Sequence, residues 1–157
     1  MEVSEETLKR AISGDAAMMA AMAKAIYEKY GDEGLATMAK GLEDAFTPVA
    51  RSVGRKLEIP LGKGMASEWV KLDGFLASGM AMEYEFITTS PKSAYVKVTQ
   101  CAYADQVHRI FPDFCRKVLI GVERAIAHSV NTKMEPHGEK YLPEGDLICE
   151  IHCDLRP

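Results

Sequence analysis

Apolar residues in the first half of the chain recur every three to four positions, the spacing of helices that bury one stripe. After Gly79 they alternate with polar residues, the spacing of strands. Ser4-Glu-Glu-Thr7 opens a short helix with a serine N-cap and acids in its first turn, and this helix is expected to stop at Gly14. Asp15 can cap a second helix over residues 16–30, with Gly31 as its C-terminal stop. Its apolar stripe is Met18, Met22, Ala25 and Ile26, which is expected to meet either the core or a homodimer partner. A third helix starts at Asp32 and carries Leu35, Met38, Leu42, Ala45 and Phe46. Pro48 should end or kink it, and Val53 and Leu57 allow it to resume. Pro60-Leu-Gly62-Lys-Gly64 breaks the pattern. It is no phosphate loop, because Met65 stands where a Ser or Thr is needed. Trp69, Leu72 and Leu76 then mark a further helix, in which the tryptophan is a packing residue.

In the second half, Met82, Tyr84 and Phe86 alternate with glutamates. Ser90-Pro-Lys-Ser93 turns the chain, and Ala94, Val96 and Val98 form the apolar face of the returning strand. Regular alternation would put Cys101 on the opposite, less apolar face, unless a bulge turned it inward. Pro112 opens a long helix whose buried stripe runs through Phe111, Phe114, Cys115, Val118, Leu119, Val122 and Ile126. The segment 132–139 is interrupted by Pro136 and reads as an edge strand. Last comes a strand with Leu147, Cys149, Ile151, Cys153 and Leu155 on one face and His152 on the other. The fold expected is α+β: N-terminal helices followed by an antiparallel β-sheet, with a long helix inserted between two strand pairs. It is read as one domain over 1–157, a mainly helical half at 1–78 and a ββαββ half at 80–157.

Composition narrows the function. The 157 residues carry a net charge of −4 without a basic run, which argues against nucleic acid as a partner. No apolar stretch is long enough to span a bilayer, and the start, Met1-Glu-Val-Ser-Glu-Glu, is acidic where a secretory signal is basic, so no membrane association and a cytoplasmic setting are expected. In that setting four cysteines are expected to be buried, metal-binding or reactive rather than paired in disulfides.

All four cysteines and all four histidines lie within residues 96–154, so the chemistry is expected there. Cys115 fits a buried stripe and reads as structural, while His108 and His128 read as surface residues. Glu123 lies at the buried edge of its helix, close enough to reach an interior cavity. No metal and no other cofactor are expected. Cys149 and Cys153 would lie about 13 Å apart on a regular strand, and His152 points the other way. The sequence has no Cys-x-x-Cys, His-Glu-x-x-His or Gly-x-Ser-x-Gly.

Three features resemble the L-2-amino-thiazoline-4-carboxylate hydrolase family: Thr99-Gln-Cys101-Ala-Tyr103-Ala after a strand, a helix carrying an acid and ending at Asn131, and Gly145-Asp-Leu-Ile-Cys149-Glu-Ile at the close. The turn Tyr30-Gly-Asp-Glu-Gly34-Leu is similar too. The chain departs from the pattern in having Glu123 for the usual Asp, Ile120 for a cysteine one turn earlier, Thr132 for a proline, and Ile151 for a phenylalanine. The resemblance implies a hydrolase that opens a small cyclic amidine-like ring to a carbamoyl-cysteine. Cys101 would be its nucleophile, with Glu123 and Cys149 positioning groups or exchanging protons. The closing pattern is also similar to the 4-vinyl reductase domains, which implies the alternative of a binding or sensing module that breaks no bond. Zinc-binding members of that group carry a further cysteine where Tyr141 and its neighbours stand here. Either way the expected partner is a small molecule held between helices and sheet.

Overall fold

The computed structural model describes residues 4–157; the Met1–Val3 portion of the acidic start lies outside them. Helix α1 spans Glu5–Lys56. Ser4 caps it as expected, its Oγ accepting the Thr7 N–H at 3.2 Å. The helix does not stop at Gly14. A single exposed glycine costs a helix only about 1 kcal/mol relative to alanine, and the alanine-rich turns beyond it bury Ala16, Ala20 and Ala23. Gly31 does interrupt the helix, with φ 62° and ψ −153°, so α1 consists of two arms. Pro48 sits inside the second arm, which continues to Lys56.

The methionine stripe does not meet the core, the first of its two expected settings. Met18 and Met22 are 58% and 54% exposed, and the buried side is the alanine row. That row packs in one cluster with Val107, Phe111 and Phe114. Small side chains let the helix come close to these bulky ones, so size matching here outweighs the greater hydrophobicity of methionine.

Helix α2 spans Ala66–Ala77 and buries Trp69 and Leu72, with Trp69 meeting Phe86 edge-on at 5.8 Å. Strands β1 (Met82–Ser90) and β2 (Ser93–Cys101) form the expected hairpin, and Ala94, Val96 and Val98 are buried. The next stretch differs in detail from the single helix expected. A short helix α3, Ala104–Ile110, comes first, and Pro112 sits in the break after it. A π-helical turn, Cys115–Leu119, then leads into α4, Ile120–Val130. Strand β3, Met134–Lys140, and strand β4, Cys149–Leu155, complete an antiparallel sheet of order β1-β2-β4-β3, which leaves the proline-containing β3 at an edge. The α+β class, with helical structure inserted between two strand pairs, is therefore as read.

Leu147 does not join the core face of β4. Pairing of that strand begins at Cys149, opposite Val98, and Leu147 lies in the preceding turn, 92% exposed. Asp146 holds this turn by accepting the Tyr141 N–H at 2.7 Å.

The α1–α4 contact is very close. A Cβ placed on Gly121 would lie 2.1 Å from the Ala39 carbonyl oxygen. Gly121→Ala must push the helices apart and is expected to cost about 1–3 kcal/mol, the usual range for overpacking. Gly14→Ala meets nothing within 4 Å and should stabilise the helix by about 0.5–1 kcal/mol. Urea unfolding of both variants checks the pair; equal midpoints would contradict the close crossing.

Candidate functional site

Between the inner face of the sheet and helices α1, α2 and α4 lies a cavity of about 370 Å³ with mostly apolar walls. Cys101, Glu123 and Cys149, singled out from the sequence, all line it, and so does Cys115.

Cys101 reaches the cavity through a β-bulge. Glu83 pairs with Gln100 but Tyr84 pairs with Val98, so Thr99 is an extra residue on β2. The bulge inverts the alternation beyond it, and Cys101, opposite Met82, turns to the same side as Val98. Its Sγ accepts the Tyr103 N–H at 3.4 Å. Cys101 and Met82 also line an open groove of mixed polar and apolar walls beside the first turns of α1, so this thiol stands between the groove and the cavity. Cys149 accepts the Leu142 N–H at 3.2 Å. Cys115 belongs to the π-helical turn, an irregularity frequent at functional sites because it re-aims side chains. Cys153 is fully buried and does not line the cavity.

Burial pushes every one of these thiols above the ordinary range. For Cys101, the N–H groups of Tyr103 and Ala104 offset part of the rise; Cys149 is pushed up to about 11; Cys115 and Cys153 go higher still. At neutral pH they are protonated. The partly ionised Cys101 that a nucleophilic role demands is thus not the resting state.

The acids are more unusual. Glu123, in the first turn of α4, points into the cavity. As a whole residue it is half-buried, but its Oε2 is fully buried and has no hydrogen-bond partner. Loss of water raises its pKa to about 7. Asp73 of α2 lines the same cavity, is only 6% exposed, and is held well above the usual carboxylate range, first by burial and then by the charge of Glu123. Asp73 was not singled out from the sequence, yet a signal existed: it stands four residues after Trp69, directly beside Leu72 and on the buried stripe of α2.

Tyr141, also on the cavity wall, carries Arg116 over its ring at 4.5 Å, and Arg116 forms a two-pronged ion pair with Glu144. Of the histidines read as surface residues, His108 is exposed, with Nδ1 2.8 Å from the Pro143 carbonyl. His128 is half-buried, its Nδ1 2.9 Å from Glu43 Oε1 and its Nε2 buried without a partner. On the outer face of the sheet His152 stacks between Tyr95 and His137. Among the described residues, one group could hold a metal ion: Glu139, Glu150 and His152, whose ligand atoms lie within 4.8 Å of one another, although Lys140 already pairs with Glu150 at 3.0 Å. None of the three lines the cavity, and Cys149 is not part of the group.

Fold and cavity define the class: an α+β protein whose helices close an interior cavity against one face of an antiparallel sheet. The chain belongs to the L-2-amino-thiazoline-4-carboxylic acid hydrolase family, whose sequence profile matches residues 11–153. No curated protein matches it. Among solved structures it is similar to a trafficking protein particle complex subunit 3 from Naegleria fowleri, a crystal structure with palmitic acid covalently bound. The TM-score is 0.57 and the identity 12%, over 95% of this chain and 97% of the other. That likeness is one of fold. None of these matches adds support to the 4-vinyl reductase likeness. No helix among the described residues is long and apolar enough to cross a membrane.

The buried acids make stability depend on pH. In the unfolded chain Glu123 releases its proton near pH 4.3, whereas in the fold it holds it to about 7. The folded state therefore binds more protons between these values, and stability falls as pH rises through that window. For Glu123 the loss is about 3 kcal/mol, and Asp73 adds a loss of the same sign. Glu123→Gln should accordingly gain about this much relative to wild type between pH 4.5 and 8. Urea unfolding at both pH values measures it; parallel curves for the two proteins would contradict the buried, unpaired carboxyl.

Proposed function

We propose that the cavity is the active site of a hydrolase of the 2-amino-thiazoline-4-carboxylate type, which adds water to the amidine-like ring carbon and releases a carbamoyl-cysteine. The observation that carries the reading is the burial of a second acid, Asp73, beside Glu123 in the cavity that Cys101 lines. Amidine hydrolysis needs a group that removes a proton from the attacking nucleophile and returns it to the departing ring atom. A carboxyl titrating near neutrality does both. Glu123 is assigned that role.

The bonds balance simply. Oxygen of water bonds to the ring carbon, one of its protons passes to Glu123 and from there to the ring atom that leaves as the carbon–heteroatom bond breaks, and its other proton stays with the product on nitrogen as the oxygen becomes the carbonyl. In the covalent variant Cys101 attacks first, and its proton passes through Glu123 to the ring atom that leaves as the ring bond breaks; water then adds to the same carbon, and one of its protons returns through Glu123 to Sγ as the carbon–sulfur bond to Cys101 breaks. Cys149 would orient the ring. Family membership supports the reaction class, and the position of Cys101 between groove and cavity supports its being the first thiol a reagent meets.

A second reading is favoured by the mostly apolar walls and the protonated thiols: a binding module that holds a small or long-chain apolar ligand and breaks no bond. The Naegleria fowleri subunit, with its covalent palmitic acid, illustrates the form this would take.

The test is a ring-opening assay on 2-amino-thiazoline-4-carboxylate combined with iodoacetamide labelling of the native protein. Glu123→Gln is expected to lower turnover by about 10²-fold or more, Cys101→Ser to abolish it with the fold intact where the covalent variant operates and to spare it where water attacks directly, and Cys101 to alkylate first of the four thiols. No turnover by wild type, with all thiols inert until unfolding, would favour the binding module.

A further inference from the structure

We infer that Asp73 and Glu123 form a cation-for-proton exchange site, which takes a planar monovalent cation bearing several N–H groups, of the amidinium or guanidinium class, and gives up one proton for it. The inference deepens the hydrolase reading by specifying which form of a ligand the cavity accepts, and it takes from that reading only that this cavity is where the ligand sits.

The first argument is the absence of a counter-charge. Among the described residues, no Lys, Arg or His lines the cavity, while two carboxyls do. Two acids in one water-poor space cannot both ionise, since each would lose its hydration and repel the other. The empty cavity therefore stays close to neutral by keeping protons on the pair. The second argument is the buried Oε2 of Glu123, an acceptor on a cavity-wall residue that lacks any hydrogen-bond partner.

A cation can fill that vacancy without adding net charge to the interior. Below about pH 7 the empty pair holds two protons and is neutral. Afterwards it holds one proton and one cation and is neutral again. A neutral ligand leaves both protons in place and offers less to the acceptor, whereas a cation entering without proton loss would leave a buried positive charge. Planarity follows from geometry, because carboxylates are matched best by paired N–H groups in one plane. The apolar remainder of the cavity suits a small ring attached to that group.

The other titratable groups on the walls do not compete for this role. They are the Cys101, Cys115 and Cys149 thiols of β2, the π-helical turn and β4, and the phenols of Tyr84, Tyr103 and Tyr141 from β1 and the loops after β2 and β3. The three thiols, Tyr103 and Tyr141 are all shifted upward and stay protonated at neutral pH. Cys153 is buried near the acids and shifted the same way. None of these shifted groups changes charge where the exchange operates.

The experiment is titration calorimetry of the full-length protein with benzamidine, a cation throughout the range used, and with benzamide, its neutral isostere. Measurements from about pH 5.5 to 8 in two buffers of different ionisation enthalpy count the protons. Benzamidine is expected to bind at pH 8 and to weaken by about tenfold per pH unit below about pH 7, releasing nearly one proton at the acidic end. Benzamide is expected to bind more weakly at pH 8 and without proton release. Asp73→Asn and Glu123→Gln should each flatten the slope and reduce benzamidine affinity at pH 8 by at least about tenfold. If either variant fails to fold, the proton count on the wild-type protein decides alone. Benzamidine that binds independently of pH, binds no better than benzamide, or does not bind at pH 8 overturns the exchange. A protein that opens the thiazoline ring but shows no exchange keeps the hydrolase reading and loses this one, and the opposite result does the reverse.

Discussion

Helix α4 can rest against α1 at its present distance only because residue 121 has no side chain: even a methyl group there would collide with the Ala39 carbonyl. That crossing sets the depth of α4 in the molecule. Two residues further along, Glu123 is thereby carried into the space between helix and sheet instead of to the surface, which is the ordinary place for a glutamate at the edge of an amphipathic helix. The alanine row on the first arm of α1 works in the same way, letting that arm come close enough to cover Phe111 and Phe114. Close packing by small residues at two points leaves the middle of the molecule open, and the cavity lies there.

Two departures from regular geometry then aim side chains into it. The bulge at Thr99 inverts the face of Cys101, and the π-helical turn at residues 115–119 presents Cys115. Neither departure serves the hydrogen-bond ladder, since a bulge leaves a residue unpaired and a π turn is rarely favoured over an α one. Both present a cysteine to the same cavity.

The site is also where the fold carries its electrostatic burden. Two acids and three thiols face a mostly apolar space, and in each case burial shifts the group toward its neutral form. The walls and core clusters must offset this, with Trp69, Leu72 and Phe114 among the fully buried side chains that do so. Concentrating unfavourable groups at one place, surrounded by a well-packed remainder, is the pattern of a protein that gives up stability for reactivity or recognition.

Much of this was legible in the sequence. The Ser4 cap, the hairpin around Ser90–Ser93, the edge position of the Pro136 strand and the burial of Trp69 follow from local rules about hydrogen bonds, turns and spacing, which a short stretch of chain expresses without help. Cys101, Glu123 and Cys149, singled out through residue type and family pattern, all line the cavity. What the tertiary structure decided were relations between elements. Periodicity says which residues of a helix share a face, but not which face meets a neighbour, so the alanines and not Met18 and Met22 are inside. A bulge belongs to two strands at once, so the inward turn of Cys101 could only be left open. The partnership of Asp73 with Glu123 joins residues fifty positions apart, and neither acid announces alone that the other will share its water-poor space. Charge state in a protein is set by what surrounds a group in three dimensions, and that is the part of the site that one dimension could not contain.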